Sequence, residues 1–195
     1  DPRTRQLQRF LVVTLEKIAA LKLAMGDQTG SEAAYVEVQA LRQSLVTADP
    51  TVAQYRLDLA YTLGEVANLF VGQGRHAEAE PLQAQAVLLR TDLLGAAPDD
   101  LPALRNLSVA QNLWSSTLLA LGRNDEALAA GEGSLAAVDR MVQIAPDDAN
   151  RLHDRLVTLN RLGDAQVALG DHAAAVVSFR EMVAMGSRLL EIDAF

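Results

Sequence analysis

The chain is 195 residues long, 50% hydrophobic and 22% charged, which supplies a sizeable core and places it outside the composition range of disordered chains. Its net charge of −8, without a basic stripe, removes the attraction that nucleic acids and anionic membranes require, so neither is expected as a partner. The absence of cysteine excludes disulfides, thiolate metal sites and cysteine nucleophiles.

Aromatic residues make up only 4% of the chain while Ala and Leu fill about a third, a composition that favours helix over sheet. No run approaches the roughly 18 apolar residues of a membrane span, and a cytoplasmic location is expected. Two ladders share one period along the sequence. Pro2, Pro50, Pro98 and Pro146 are spaced by 48 residues, and so are Gly26, Gly74, Gly122 and Gly170. They divide the chain into units 1–48, 49–96, 97–144 and 145–192, read as one repeat domain within a longer protein.

In the first unit Leu11, Leu15, Ile18 and Met25 precede the glycine, and Ala34, Val38, Leu41 and Leu45 follow it, at helical spacing. Each unit is therefore expected to be a helix, a tight turn at a left-handed glycine and a second helix, both of about 20 residues. The second unit repeats the small residues Ala67 and Ala79 where the first has Ala19 and Ser31. The third and fourth open on Pro98-Asp99-Asp100 and Pro146-Asp147-Asp148, whose carboxylates suit the start of a helix, and Asn124-Asp125-Glu126 does the same for the third unit's second helix. Trp114 shares a column with Ile18, Val66 and Leu162; its indole is expected in the core, filling the volume left at Gly131. The last helix has only two charges between His172 and Gly186, so Val177, Met182 and Met185 are expected to form an adhesive apolar face, covered either by further repeats of a longer protein or by a second copy, while the first helix, with Arg3 and Arg5, is expected to present a charged outer face. Asp193 and Ala194 fall in the columns of Asp49 and the junction prolines.

The segment Leu159 to Met182 resembles a tetratricopeptide repeat, with Leu162-Gly163 at the Leu-Gly pair, Gly170 at the turn, Ala175 at the small helix-crossing position and Phe179 at the aromatic one. Gln83 and Gly131 replace the aromatic in units two and three, and Ser31 stands at the small position of unit one. The resemblance implies an all-α fold, a right-handed α-solenoid of four helix-turn-helix units with eight long helices. A period of 48 exceeds the usual length of about 34 and resembles a variant of large bacterial multidomain proteins, often beside signalling or ATPase domains. It also implies a protein-interaction module that holds a peptide or protein segment in a concave groove. The groove positions are Val13, Glu16 and Ala20, then Tyr61, Gly64 and Asn68, then Val109, Asn112 and Ser116, then Val157, Asn160 and Asp164. Asn68, Asn112 and Asn160 can donate to and accept from an extended backbone, and Tyr61, Val109 and Val157 offer apolar contact. Lys17 and Lys22 fall off the groove, so a clamp for an acidic peptide terminus is not expected.

No phosphate loop, nucleophile elbow or His-Glu-x-x-His motif occurs, and no catalytic residue, metal or cofactor is expected. His76 and His172 share a turn column with Gln28 and Asn124, and His153 has no recurring ligand partner. Adjacent carboxylates on a helix do not face each other, so the Asp pairs read as caps. The sequon at Asn106-Leu107-Ser108 lies inside an expected helix. The alternatives to a peptide groove are a structural spacer, a self-association element forming a homodimer through the C-terminal helix, and the regulatory arm of an enzyme.

Overall fold

The computed structural model describes residues 2–192; Asp193 and Ala194 lie outside them. Every regular element among the described residues is an α-helix: α1 (Pro2–Ala24), α2 (Gln28–Ala48), α3 (Ala53–Gly72), α4 (His76–Ala96), α5 (Leu101–Ala120), α6 (Asn124–Ile144), α7 (Ala149–Ala168) and α8 (His172–Ile192). Helix lengths and turns follow the repeat frame. Gly26, Gly74, Gly122 and Gly170 have φ of 82°, 73°, 73° and 80°. After each, the chain closes the preceding helix in the same way: the N–H of Asp27, Arg75, Arg123 and Asp171 donates to the carbonyl of Lys22, Phe70, Leu118 and Gln166 at 2.9 Å. This satisfies helix-end carbonyls that would otherwise lack partners.

The caps divide by column. Asp27 and Asp171 accept from the N–H of Gly30 and Ala174 at 2.8 and 3.0 Å. Arginine replaces them in the middle units, where Arg75 and Arg123 instead bind Glu78 and Glu126 one turn into the helix. Asp100 and Asp148 cap α5 and α7. Their neighbours do not cap: Asp99 pairs with Arg140 at 2.6 Å and Asp147 with Arg188 at 2.9 Å, a clasp 41 residues long that repeats with the period. Asn124 reaches beyond its own helix start, donating to the carbonyl of Ala168.

The helices form two compact units, Asp1–Leu89 and Arg90–Phe195, with the boundary inside α4. In both, each turn-linked helix pair carries small buried residues in two columns, Ala19 and Ser31, Ala67 and Ala79, Ser115 and Ala127, Gly163 and Ala175. Small side chains let the paired backbones approach, and Ser115 Oγ donates directly to the carbonyl of Ala127 at 2.8 Å. In the first unit Val66, Leu69 and Phe70 of α3 pack on Ala34 and Tyr35 of α2, and Leu59 and Leu63 pack with Val46, Leu82 and Ala86. In the second, Leu118, Ala127, Ala130 and Ala165 join α5, α6 and α7, and Leu104 packs with Val138 and Met141.

Three expectations about the core are corrected. On α1 the buried face is Val12 and Ala19, while Leu11 and Ile18 are exposed and Met25 is 82% exposed. Trp114 is half-buried, packed on the margin of the Leu118 cluster rather than inside it. The space beside Gly131 is taken by Leu162, whose Cδ1 lies 3.4 Å from where a Cβ would stand. The neighbouring Gly163 is tighter still, since a Cβ there would lie 2.4 Å from the Phe179 ring. Gly163→Ala is therefore expected to destabilise by about 1–3 kcal/mol. Combining it with Phe179→Leu should cost less than the sum of the single variants in thermal melts, because the shorter side chain yields the space.

Candidate binding faces

In the first unit, α1 and α3 present Val13, Glu16, Ala20, Tyr61, Gly64 and Asn68 at half-buried to exposed positions. Behind them sits Arg42 of α2, only 9% exposed. It pairs with Glu16 at 2.8 Å and donates to the carbonyl of Asp58 at 2.7 Å and to Thr62 Oγ1, so one guanidinium ties three helices together. Burial pushes the Glu16 carboxyl above its ordinary pKa; Arg42 opposes the shift, while Asp58 and Glu65 add to it. A raised folded-state pKa means that folding favours the protonated form, so this contribution to stability is full below the ordinary carboxylate value and is lost as pH rises through the raised one. Relative to Glu16→Gln, the native chain should gain stability as pH falls from about 7 to about 4, measured by denaturant midpoints.

Glu65 on α3 is half-buried, and among the described residues no cation pairs with it. It stands close enough to two phenols to perturb both. The Tyr61 hydroxyl is pushed up chiefly by this charge, and the Tyr35 hydroxyl by burial first and then by the same charge. Glu65 and Asn68 line a cavity of about 240 Å³ with Tyr35, Leu23 and Gln73. Asn68 itself is exposed, and its side chain makes no hydrogen bond to another described residue. Sequence reasoning found Tyr61 and Asn68 but missed Glu65 and Tyr35, since the Glu65 column reads Lys17, Leu113 and Arg161 elsewhere.

In the second unit the corresponding helices are α5 and α7. Val109 and Val157 are exposed, and Ser116, Asn160 and Asp164 are half-buried. Most polar groups here serve the fold. Asn112 Nδ2 donates to Thr158 Oγ1 at 2.9 Å, and its Oδ1 is buried, so this asparagine braces α5 against α7 instead of standing open like Asn68. Thr158 also meets Ser134 of α6, which donates to the Ser108 carbonyl. Ser116 Oγ returns to the Asn112 carbonyl, Asp164 faces Arg161, and Arg105 holds Asp154 at 2.8 Å. Asn160 alone of the second unit's two groove asparagines has no such partner.

The first and last helices differ from expectation. On α8, Met182 and Met185 are half-buried, and the exposed apolar residues are Val176, Val177, Val183 and Leu190. On α1 the exposed Arg9 and Lys17 are accompanied by exposed Leu7, Phe10, Leu11, Ile18 and Leu21, and the side chains of Arg3 and Arg5 lie outside the described ones. Among the described residues no group of His, Cys, Asp and Glu is placed to hold a metal ion. No described helix is long and apolar enough to cross a membrane. The sequon lies within α5, with Ser108 buried.

Residues 59–100 match the tetratricopeptide repeat family. The matched stretch runs from Leu59 of α3 through the Gly74 turn and α4, so it falls on the second unit of the period and not on residues 159–182, where the motif residues are most complete. Among solved structures the chain is similar to two of a kinesin light chain-like protein of Podosopora anserina with nearly identical TPR-like repeats. Both are 17% identical, with TM-scores of 0.70 and 0.67 over 92% and 91% of this chain and 76% and 75% of theirs. It is also similar to the DHF58 filament, at 16% identity and a TM-score of 0.52 over 100% of this chain and 99% of that one. At these identities the likeness establishes the fold. No curated protein matches the chain.

Proposed function

We propose that this tetratricopeptide-repeat protein is a non-catalytic interaction module that binds an extended, positively charged segment of another protein. The faces are Tyr61 and Asn68 in the first unit and Val109, Val157 and Asn160 in the second, with Ser116 and Asp164 at the margin and Asn112 positioning α5. One observation carries the charge preference: the Glu65 carboxylate is half-buried, lacks a cation among the described residues and lies by Tyr35 and Tyr61. A lysine or arginine side chain would supply the missing cation and stack on the exposed Tyr61 ring. Fluorescence anisotropy with an arginine- and lysine-containing peptide and its glutamate-substituted counterpart tests this. The basic peptide should bind more tightly, and Glu65→Gln should weaken it about tenfold or more, as the loss of a charge-assisted hydrogen bond implies. Equal binding of both peptides, or indifference to Glu65→Gln, would refute the reading. A second role, self-association through α8, is favoured by the exposure of Val176, Val183 and Leu190.

A further inference from the structure

The repeat frame gives the apolar faces of α1 and α8 a defined meaning. Residues 11, 14, 18 and 21 of α1 recur as Leu59, Thr62, Val66 and Leu69 on α3 and as Arg155, Thr158, Leu162 and Ala165 on α7. In those helices the column is occupied by the preceding helix. Tyr35 of α2 packs with Val66 and Leu69, Val46 packs with Leu59, Ser134 of α6 meets Thr158, and Gly131 receives Leu162. On α1 the same column, Leu11, Thr14, Ile18 and Leu21, is exposed.

The complementary column lies on α8. Phe179, Met182 and Leu190 stand where α2 has Tyr35, Val38 and Val46 and where α6 has Gly131, Ser134 and Val142. Leu190 is 75% exposed, against the packed Val46, and Val183 beside Met182 is exposed as well. None of these residues on either helix is charged.

We infer that α8 of one copy docks on α1 of a second copy, in the register by which α2 covers α3 and α6 covers α7. Phe179 then meets Ile18 and Leu21, Met182 meets Thr14, and Leu190 meets Leu11. The inference deepens the self-association reading by naming the surface that α8 meets. It makes the contact heterologous, so each copy retains one unused face and association is open-ended unless it closes into a ring.

Sedimentation of the native chain should show mass rising with concentration beyond a dimer. Ile18→Glu and Leu190→Glu change exposed residues of the contact, so both variants should keep native helical circular dichroism, and each should weaken association about a hundredfold because a lone charge is left in an apolar contact. Mixing the two variants is the decisive arm. Ile18→Glu retains a sound α8 and Leu190→Glu a sound α1, so the mixture should give a 1:1 heterodimer that grows no further. A closed dimer abolished by Leu190→Glu and indifferent to Ile18→Glu would overturn the head-to-tail contact while leaving self-association intact. A strict monomer at all concentrations would overturn both.

Discussion

Arg42→Ala should cost about 3 kcal/mol, the lower end of the range for removing one partner of a buried ion pair, because Glu16 keeps some contact with water. The loss has two parts. Glu16 would remain half-buried among Asp58 and Glu65 with its paired cation gone, and the carbonyl of Asp58 and the hydroxyl of Thr62 would lose their donor. The aliphatic stem, which lines a cavity with Val12 and Leu45, would also be missing. Arg42→Met separates the parts by keeping the stem. If the stranded charge dominates, methionine should be nearly as damaging as alanine, and adding Glu16→Gln should restore a large share. If packing dominates, methionine alone should recover most of the stability. Denaturant titration followed by ellipticity reads the effect. Trp114, the chain's single tryptophan, lies in the second unit and reports by its fluorescence whether that unit melts in the same transition.

Much of the architecture could be read from two ladders of punctuation. The left-handed glycines fix where the first helix of each unit stops, and Pro50, Pro98 and Pro146 fall between helices, whereas Pro81, off that ladder, lies inside α4. The clasp between Asp99 and Arg140 was also present in the sequence, since Asp147 and Arg188 repeat it 48 residues on. What periodicity could not resolve was the choice between two apolar faces on one helix. On α1, Leu11 with Ile18 and Val12 with Ala19 both keep helical spacing; only the small size of Ala19, matched to Ser31 across the pair, selects the second as the buried one. The candidate site was less legible for a different reason. Arg42 falls in a column that reads Arg90, Val138 and Gly186, so only one of the three other units repeats the residue and the column does not mark its role. Asn112 and Asn160 look alike until Thr158 is seen to accept from the Nδ2 of the first.

Leu118→Ala should cost about 4 kcal/mol, toward the upper end for a leucine truncated in a core. Leu118 is fully buried and its cluster is completed by Ala127, Ala130 and Ala165. Those neighbours explain the size of the effect. A methyl group fixed to a helix backbone has no torsion that could swing it into the vacated volume, so the cavity stays open and its lining loses dispersion contacts on every side. The partly buried side chains at the margin, Trp114, Leu119 and Leu128, are the only members of the cluster with freedom to move. Melting followed by Trp114 fluorescence therefore measures the loss and the relaxation together. A cost near 4 kcal/mol with unchanged emission means the cavity persists. A cost below about 2 kcal/mol should come with a blue shift, because the loss can be that small only if the indole has left its half-exposed position and filled the space. A small cost without that shift would contradict the packing described for the second unit. As a surface control, Leu190→Ala should change stability by less than about 0.5 kcal/mol under dilute conditions, since that residue is 75% exposed.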